Sequence, residues 1–315
     1  MTVASELAAR VLRGEVRAVA RAITVVENAL AEAPEVLSAL YPHAGGSLVV
    51  GVTGPPGAGK STLVDRLTAL LRRQDRTVGI IAVDPTSPYS GGAILGDRIR
   101  MQAHATDPGV FIRSMATRGH LGGLAAATGH VLTVLSASGK DVILVETVGV
   151  GQDEVEIVET ADVSLVVLVP GLGDEVQALK AGIMEIADVF VVNKADREGV
   201  DRMVAEIETM LSLGAKDAPR PAIVKTVAVA DQGIEELWAE VDAFRARAQQ
   251  DGLLARKRQA HARRLLGETL QERLMGLVRS RVSAEEVERL VGQVAAREID
   301  PLTAAGEVLR KMGFS

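Results

Sequence analysis

The sequence contains no cysteine, and only 2% of its 315 residues are aromatic. Without cysteine the chain has no disulfide framework and offers no thiolate ligand to a metal ion. With so few aromatic side chains, the core has to be built from alanine, valine, leucine and isoleucine. A chain of this length is enough for one large domain with an appendage, or for two small domains.

Long apolar runs and long basic runs are also missing. The longest apolar stretch, VSLVVLVPGLG, is interrupted by Pro170 after the length of one strand, so it predicts no membrane span. The N-terminal MTVASELAARVLRGEV lacks an uninterrupted apolar segment and carries Glu6 and Glu15, which argues against a secretory signal or a transit peptide. A net charge of -6 without a basic run argues against nucleic acid as the main partner. We therefore expect a soluble cytoplasmic protein.

Hydrophobic periodicity divides the chain into three parts. Residues 1–46 form a helical segment with apolar positions at helical spacing, for which Ser5 is the candidate N-cap. Residues 47–249 alternate short runs rich in β-branched residues with segments of helix length. In residues 250–315, from about Leu253 onward, strands vanish and charged amphipathic helices replace them.

The middle part contains seven strand-like runs, which are SLVVGVT, TVGIIAV, GVFIRS, DVILVET, VSLVVLV, DVFVVNK and PAIVKTVAV. Most are continuously apolar, which is typical of strands buried on both faces. Separated by helix-length segments, they predict an α/β fold with a mainly parallel central sheet.

The C-terminal part has clear helix starts. SAEEVERLVGQV predicts a capping box with Ser283 as N-cap and Glu286 three residues later. Asp300 followed by Pro301 predicts the start of another helix. The apolar stripe of these helices has to be buried either against the same domain or against a second copy of the chain.

The strongest motif follows the first central strand. GPPGAGKST fits the phosphate-binding pattern G-x-x-x-x-G-K-[ST] in a strand–loop–helix context, which makes the fold that of a P-loop NTPase. Glycines let backbone N–H groups surround a phosphate, the lysine adds a charge, and the serine hydroxyl is a Mg²⁺ ligand. The predicted phosphate-binding residues are Gly54, Pro55, Pro56, Gly57, Ala58, Gly59, Lys60, Ser61 and Thr62.

A second motif concerns the base. Asn193, Lys194 and Asp196 form the N-K-x-D pattern of GTP-binding proteins. The aspartate can accept both guanine N1–H and the 2-amino group, which adenine lacks. The alternative is a helix start capped by Asp196. Further on, in TVAVADQG, the backbone of Val227, Ala228 and Val229 is the candidate contact for the guanine oxygen.

Glu146 ends the run DVILVE, where P-loop proteins place an acidic group for the magnesium shell. The ETVG that follows stands where many GTPases have D-x-x-G, so Gly149 is the candidate sensor of the γ-phosphate. Val150 occupies the position of the water-orienting glutamine of Ras-like proteins, and Gln152 is displaced from it. We expect slow intrinsic hydrolysis.

Two further loops carry acidic residues. Asp84 ends the second strand, and Asp97 lies beyond a loop rich in Ser, Gly and Pro, which suggests a nucleotide-dependent switch. The alternative is an ordinary connection in which Asp97 caps a helix. VPGLGDEVQALKAG, with Asp174, Gln177 and Lys180, faces either nucleotide or partner, or else is a solvated helix start.

Taken in order, GPPGAGKST, DPTSPYSGGAILGDRIRM, ETVGVGQDE, PGLGDEVQALKAGIMEIAD and NKAD resemble the MeaB/ArgK family of P-loop GTPases. That family includes the methylmalonic aciduria type A protein. The resemblance covers nearly the whole chain. It implies a GTPase chaperone for adenosylcobalamin-dependent acyl-CoA mutases, chiefly methylmalonyl-CoA mutase, which uses GTP to gate cofactor delivery and to protect or restore the mutase. It also implies a homodimer formed through the C-terminal helices.

The resemblance also implies roles for individual residues. Asp84, Asp97 and Glu146 would arrange Mg²⁺ and the attacking water. Residues 171–182, with Asp174, Gln177 and Lys180, would form a switch that faces the mutase. The predicted catalytic residues are Lys60, Asp84, Asp97, Glu146 and Gly149. The predicted metal ligands are Ser61, Asp84, Asp97 and Glu146.

Rival functions are weighed against specific residues. GTPases that deliver nickel expose Cys and His ligands, whereas this chain has no cysteine and its five histidines lack ligand-like spacing. An ATPase or kinase linked to arginine/ornithine (LAO/AO) transport is the main alternative, and NKAD disfavours ATP. Signal-recognition GTPases have an aspartate-led phosphate-sensing motif, whereas the corresponding segment of this chain, ETVG, begins with glutamate. A GTP-dependent binding module without catalysis is compatible with the displaced glutamine.

Overall fold

The computed structural model describes residues 2–84, 102–116, 124–147, 160–171, 186–213 and 220–313. By its internal contacts the chain divides into two compact units, Met1–Ala262 and Arg263–Ser315. The first unit holds the N-terminal helices and the sheet together. The functional division at 46/47 and 249/250 stays a prediction.

The first unit is built on a seven-stranded sheet with the order β3-β2-β4-β1-β5-β6-β7. Each described strand pairing is parallel. The strands are β1 (Leu48–Thr53), β2 (Val78–Asp84), β3 (Val110–Ala116), β4 (Val142–Glu146), β5 (Val163–Leu168), β6 (Val189–Asn193) and β7 (Ala222–Thr226). All seven predicted runs are therefore strands, and the predicted α/β fold with a parallel sheet is confirmed.

Helices cover both faces of this sheet. The helices are α1 (Val3–Leu12), α2 (Val16–Glu27), α3 (Ala33–Leu40), α4 (Lys60–Arg73), α5 (Leu124–Ala137), α6 (Val200–Leu213), α7 (Ile234–Gln250), α8 (Leu253–Arg281), α9 (Ala284–Ala295) and α10 (Pro301–Lys311). Short 3-10 turns lie at Tyr41–His43, Gln102–His104 and Ala228–Ala230. Among the helices in the described ranges, none combines the length and apolar character that crossing a bilayer requires.

Alternate residues of each strand enter different cores, because side chains alternate across a strand. Val142 and Leu144 of β4 pack in one cluster with α4 and α7. Ile143 and Val145 of the same strand pack in another with α1, α2, α3 and α5. The N-terminal helices therefore complete one face of the sheet, which explains why α1 and α2 bury their alanine and valine stripes.

Three predicted helix starts have different outcomes. Ser5 is not the N-cap, since α1 starts at Val3 and the Thr2 hydroxyl accepts the Ser5 N–H at 3.2 Å. Thr2 is itself a good capping residue, so the residue type alone could not place the start. Ser283 caps α9 as predicted, with its hydroxyl accepting the Glu286 N–H at 3.3 Å. Asp300 caps α10, with Pro301 at its first position.

Candidate functional site

The phosphate-binding loop, residues 54–59, connects β1 to α4 and lies against two neighbouring strands. Gly54 has φ of +144°, and a Cβ there would lie 2.1 Å from the carbonyl oxygen of Val167 in β5. A Cβ at Gly59, with φ of +89°, would lie 2.5 Å from Nδ2 of Asn193. Side chains at these positions would collide with fixed groups, so glycine is required there by space as well as by conformation.

Lys60 is the first residue of α4 and directly follows this loop. Its side chain is buried, and Nζ donates hydrogen bonds to the carbonyl oxygens of Gly54 at 2.8 Å and Pro55 at 3.1 Å. The cation thus sits at the amino end of a helix, where N–H groups already favour anions. This arrangement concentrates positive potential where the sequence motif predicts phosphate.

Ser61 and Glu146 meet beside the loop. The Ser61 hydroxyl donates to Oε1 of Glu146 at 2.6 Å, and both residues are buried. The contact follows from the sheet order, because β4 lies next to β1 and pairs Glu146 with Val52. A hydroxyl and a carboxylate oxygen are the ligand types that Mg²⁺ prefers.

Thr147, which sequence analysis did not single out, holds the exit of β4 in place. Its N–H donates to the carbonyl oxygen of Val52 at 3.1 Å, and its hydroxyl lies 3.0 Å from that of Thr53. These bonds tie the chain after Glu146 to the last two residues of β1. The start of the ETVG segment is therefore fixed next to the phosphate-binding loop.

Asn193 joins three segments of the site through one buried amide. Nδ2 donates to the carbonyl oxygen of Ala58 at 2.8 Å. Oδ1 accepts from the hydroxyl of Thr226 at 3.1 Å and from the N–H of Ala228 at 3.2 Å. A buried side chain with donors and acceptors satisfied in this way fixes the relative positions of its neighbours. The phosphate loop and the loop after β7 are thereby linked.

Lys194 reaches back over the phosphate-binding loop. Its backbone has φ of +56°, an uncommon conformation for lysine. Its Nζ donates to the carbonyl oxygen of Gly57 at 2.7 Å. Asp196 lies two residues further on and is exposed. The predicted base-recognition residues therefore lie adjacent to the predicted phosphate-binding residues.

The backbone after β7 is shaped by a tight turn. The N–H of Val227 donates to Gln232 at 3.0 Å, and that of Ala228 to Asn193. Val229 is 76% exposed. Contact of these residues with a guanine oxygen stays a prediction. Thr226, which binds Asn193, escaped sequence analysis because a threonine at a strand end carries no motif of its own.

Several predicted residues lie outside the described residues, namely Asp97, Gly149, Gln152, Asp174, Gln177 and Lys180. Asp84 ends β2, next to β4 in the sheet, but only its backbone is described. Among the predicted catalytic and metal-binding residues, the described part of the chain brings together Lys60, Ser61 and Glu146. Within that part, no three His, Cys, Asp or Glu residues are grouped as a metal site.

A model of the family described as methylmalonyl Co-A mutase-associated GTPase MeaB matches residues 19–283. That range includes the phosphate-binding loop, Glu146 and the NKAD segment. This chain belongs to the MeaB family. Membership in this family of P-loop GTPases implies guanine-nucleotide binding and GTP hydrolysis.

MeaB-family relatives match over most of their length. A protein of Pyrococcus abyssi is 50% identical over 315 residues, which cover 98% of this chain and 96% of the relative. GTPase ArgK of Escherichia coli is 36% identical over 275 residues, covering 84% and 83%. Methylmalonic aciduria type A homolog, mitochondrial, of Mus musculus is 34% identical over 267 residues, covering 83% of this chain and 64% of the mouse protein.

The MeaB-family fold also matches a solved structure. The crystal structure of LAO/AO transport system kinase superposes with a TM-score of 0.71 at 27% identity, covering 98% of this chain and 97% of that one. This similarity extends beyond the sheet to nearly the full length. The resemblance expected from the sequence motifs is confirmed by the family match.

Proposed function

We propose that this MeaB-family GTPase is a chaperone for an adenosylcobalamin-dependent acyl-CoA mutase, with methylmalonyl-CoA mutase as the chief candidate. GTP binding and hydrolysis gate cofactor loading and protect or reactivate the mutase. The family description names association with that mutase, and a mouse relative carries the name methylmalonic aciduria type A homolog. The proposed location is the cytoplasm.

The observation that carries the GTPase assignment is the position of Asn193. Its amide links Ala58 of the phosphate-binding loop to Thr226 and Ala228 at the end of β7. Both ends of one nucleotide, its phosphates and its base, can therefore be held by a single rigid network. Asp196 then selects guanine, because adenine would leave the carboxylate without the two donors that guanine offers.

The residues around the phosphate-binding loop have distinct proposed roles. Lys60 exchanges its bonds to loop carbonyls for the outer phosphates of GTP and stabilises charge on the transferred phosphoryl group. Ser61 and Glu146 fit Mg²⁺, whose ordinary contribution is to neutralise charge on the β- and γ-phosphates. The two residues already share a hydrogen bond, so little rearrangement is needed to direct both oxygens toward one point.

The remaining site residues are proposed from the family resemblance. Asp84 and Asp97 complete the arrangement of metal and attacking water, and Gly149 senses the γ-phosphate. Hydrolysis breaks the bond between the γ-phosphorus and the bridging oxygen, while water supplies the oxygen of the released phosphate. Because Val150 replaces a water-orienting glutamine, the chain alone is proposed to hydrolyse GTP slowly, and the mutase to complete the site. Asp174, Gln177 and Lys180 are the proposed switch that faces the mutase.

The deciding experiment compares hydrolysis of GTP and ATP by the purified chain, alone and with methylmalonyl-CoA mutase from the same organism. We expect slow, GTP-selective turnover that the mutase accelerates. Asp196→Asn should reduce the preference for GTP, whereas Asp201→Asn changes a nearby exposed carboxylate outside the motif and serves as the matched control. If turnover is GTP-selective but has the same rate with and without the mutase, the proposed partner is rejected and the assignment as a GTPase stands.

A second candidate is a nucleotide hydrolase or kinase linked to arginine/ornithine transport. The name of the solved structure with a TM-score of 0.71, LAO/AO transport system kinase, is the observation that favours it. Preference for ATP over GTP in the same assay would support this function. The same result would overturn the role proposed for Asp196.

A further inference from the structure

Two buried threonines face each other where the neighbouring strands β1 and β4 end. These strands pair with Val52 opposite Glu146, and the next residues, Thr53 and Thr147, continue that register. The two threonines are 1% and 0% exposed, and the hydroxyl of Thr147 donates to that of Thr53 at 3.0 Å. Apart from Thr53 and Glu146, the two strands contain only valine, leucine, isoleucine and glycine. A pair of hydroxyls is therefore an exception in this part of the core.

Packing alone does not explain the two hydroxyls. Valine has nearly the same size as threonine, is branched at the same carbon, and suits a buried strand. A buried hydroxyl costs free energy unless it is hydrogen-bonded, whereas a methyl group in its place does not. A hydrogen bond, unlike an apolar contact, has a defined length and direction. The threonine pair therefore sets the distance between two chain segments as well as filling space.

Each threonine adjoins one half of the candidate site. Thr53 directly precedes Gly54 of the phosphate-binding loop, and on its other side it pairs with β5. Thr147 directly follows Glu146, whose Oε1 accepts the Ser61 hydroxyl at 2.6 Å. The bond between the two threonine hydroxyls thus joins the start of the phosphate-binding loop to the carboxylate at the proposed metal position.

We propose that Thr53 and Thr147 are positioning residues for hydrolysis, which hold Glu146 at the metal and set the rate of turnover rather than the affinity for GTP. This inference rests on the proposed function, in which Ser61 and Glu146 bind Mg²⁺ during GTP hydrolysis. The threonines act only through the position of Glu146 and of the chain that follows it. GTP affinity comes instead from the phosphate-binding loop and the NKAD segment.

The test uses Thr147→Val in the full chain, because this change removes the hydroxyl and keeps the branched shape. We expect kcat for GTP hydrolysis to fall about five- to tenfold, as for loss of one buried hydrogen bond, and the Kd of GTP to stay within about twofold. The Mg²⁺ concentration for half-maximal hydrolysis should rise. Thr53→Val should behave alike, and the double variant should be no slower than either single variant, since all three lack the same bond.

Two further variants separate positioning from stability. Thr147→Ser keeps the hydroxyl but deletes a buried methyl group, so it should lower stability in urea and still hydrolyse GTP within about twofold of the wild-type rate. Thr133→Val is the matched control, because Thr133 is buried in α5 and its hydroxyl binds the carbonyl oxygen of Gly129 in the same helix at 3.0 Å. This control should leave kcat and the Mg²⁺ dependence unchanged.

Two readouts need no turnover. The N–H of Thr147 donates to the carbonyl oxygen of Val52 at 3.1 Å, and Thr53→Val should speed the hydrogen exchange of that amide in the nucleotide-free chain. Mg²⁺ should also slow the release of a fluorescent GDP analogue less in Thr53→Val than in the wild type. Thr133→Val should change neither the exchange nor the release.

The outcomes distinguish this inference from the proposed function. Absence of GTP hydrolysis in the wild-type chain would reject the proposed function, and the exchange and GDP-release measurements would then decide on the threonine pair. Hydrolysis by the wild type that is matched by Thr147→Val, in both kcat and Mg²⁺ dependence, would overturn the inference. Equal slowing by Thr147→Ser would assign the effect to packing and not to the hydroxyl. Loss of GTP affinity and stability together with turnover in Thr147→Val would make the role of the pair purely structural.

Discussion

The side chain of Asn193 is buried and uses its carboxamide to contact Ala58, Thr226 and Ala228. Asn193→Ala would remove these bonds. The carbonyl of Ala58 and the N–H of Ala228 would then lose their hydrogen bonds to the Asn193 side chain. At about 1 to 3 kcal/mol for such a loss, we expect GTP affinity to fall roughly tenfold to a hundredfold. Isothermal titration with GTP, together with a thermal melt, measures the effect.

The matched control is Thr226→Val, which removes one of the three bonds and keeps the shape of the side chain. It should cost less than Asn193→Ala in both assays. Equal GTP affinity in wild type and Asn193→Ala would show that the link between the two loops contributes nothing to binding.

Gly54 and Gly57 both have left-handed backbone conformations, with φ of +144° and +76°. They differ in space, since a Cβ at Gly54 meets Val167 and a Cβ at Gly57 meets nothing within 4 Å. Gly57→Ala should therefore cost about 1 to 2 kcal/mol for conformation alone. Gly54→Ala should cost clearly more, because the backbone of β5 must also move.

Urea denaturation of the two glycine variants measures that difference, and GTP titration shows whether the loop still binds phosphate. Similar stability losses in both would mean that conformation, not contact with β5, decides the choice of glycine. In that case the close approach of the loop to Val167 would carry no energetic weight.

At the scale of elements, the start of α8 is held to the amino ends of two strands. Lys257 forms an ion pair with Asp188, which precedes β6, and Arg258 binds both oxygens of Asp162, which precedes β5, at 2.8 and 3.1 Å. Each carboxylate also accepts a backbone N–H. These charges lie at the amino ends of the strands, whereas the phosphate-binding loop lies at their carboxyl ends. The ion pairs are therefore structural.

The pair Lys257–Asp188 makes stability depend on pH in a specific direction. Burial raises the pKa of Asp188 above its usual 3.8, and Lys257 acts against this rise. Lys257→Met removes the cation, so the pKa of Asp188 should rise further. An acid whose pKa is raised in the folded state binds more protons in the folded than in the unfolded chain. The stability that it contributes to the protein therefore falls as the pH rises from the unfolded-state pKa to the folded-state pKa.

Lys257→Met should therefore lose about 1 to 3 kcal/mol near pH 7, a partly exposed pair being worth less than a fully buried one. The loss should be smaller at pH 4.5 than at pH 7, because the raised pKa of Asp188 favours its protonation as the pH falls. Urea denaturation at the two pH values is the measurement, and Arg256→Met, a neighbouring exposed cation, is the control. An equal loss at both values would contradict the assignment to Asp188.

The sequence predicts the strands well because β-branched runs such as DVILVE and DVFVVN suit a sheet buried on both faces. It places Lys60, Asn193 and Lys194 because their motifs are local. It misses the bonds of Thr147 and Thr226 and the ion pairs of α8, which join residues far apart in the chain. Lys257 and Asp188 are 69 residues apart and meet only through the topology. Ser5 failed as a cap because Thr2 suits that role equally well.

At the scale of the whole molecule, the second compact unit exposes large apolar side chains. On α8, Leu266, Leu270, Leu274 and Leu277 are 69%, 55%, 42% and 45% exposed. Their spacing of four, four and three residues places them along one side of the helix. Val291 of α9 is also exposed. The four leucines of α8 form an exposed apolar strip, and such a strip usually marks an interface.

We predict that this strip joins two copies of the chain. Burying a leucine stabilises an interface by about 1.5 to 3 kcal/mol, and in a two-fold dimer each substitution acts twice. Leu270→Glu with Leu277→Glu should therefore shift the chain to monomer at micromolar concentration, as measured by sedimentation equilibrium. Gln271→Glu, an exposed position on the same helix, should leave the dimer intact.

Because Lys60, Glu146 and Asn193 all belong to Met1–Ala262, GTP binding should survive in the monomer. If the leucine variants stay dimeric and fold normally, the two copies meet elsewhere, and the exposed strip of α8 has to serve a different partner.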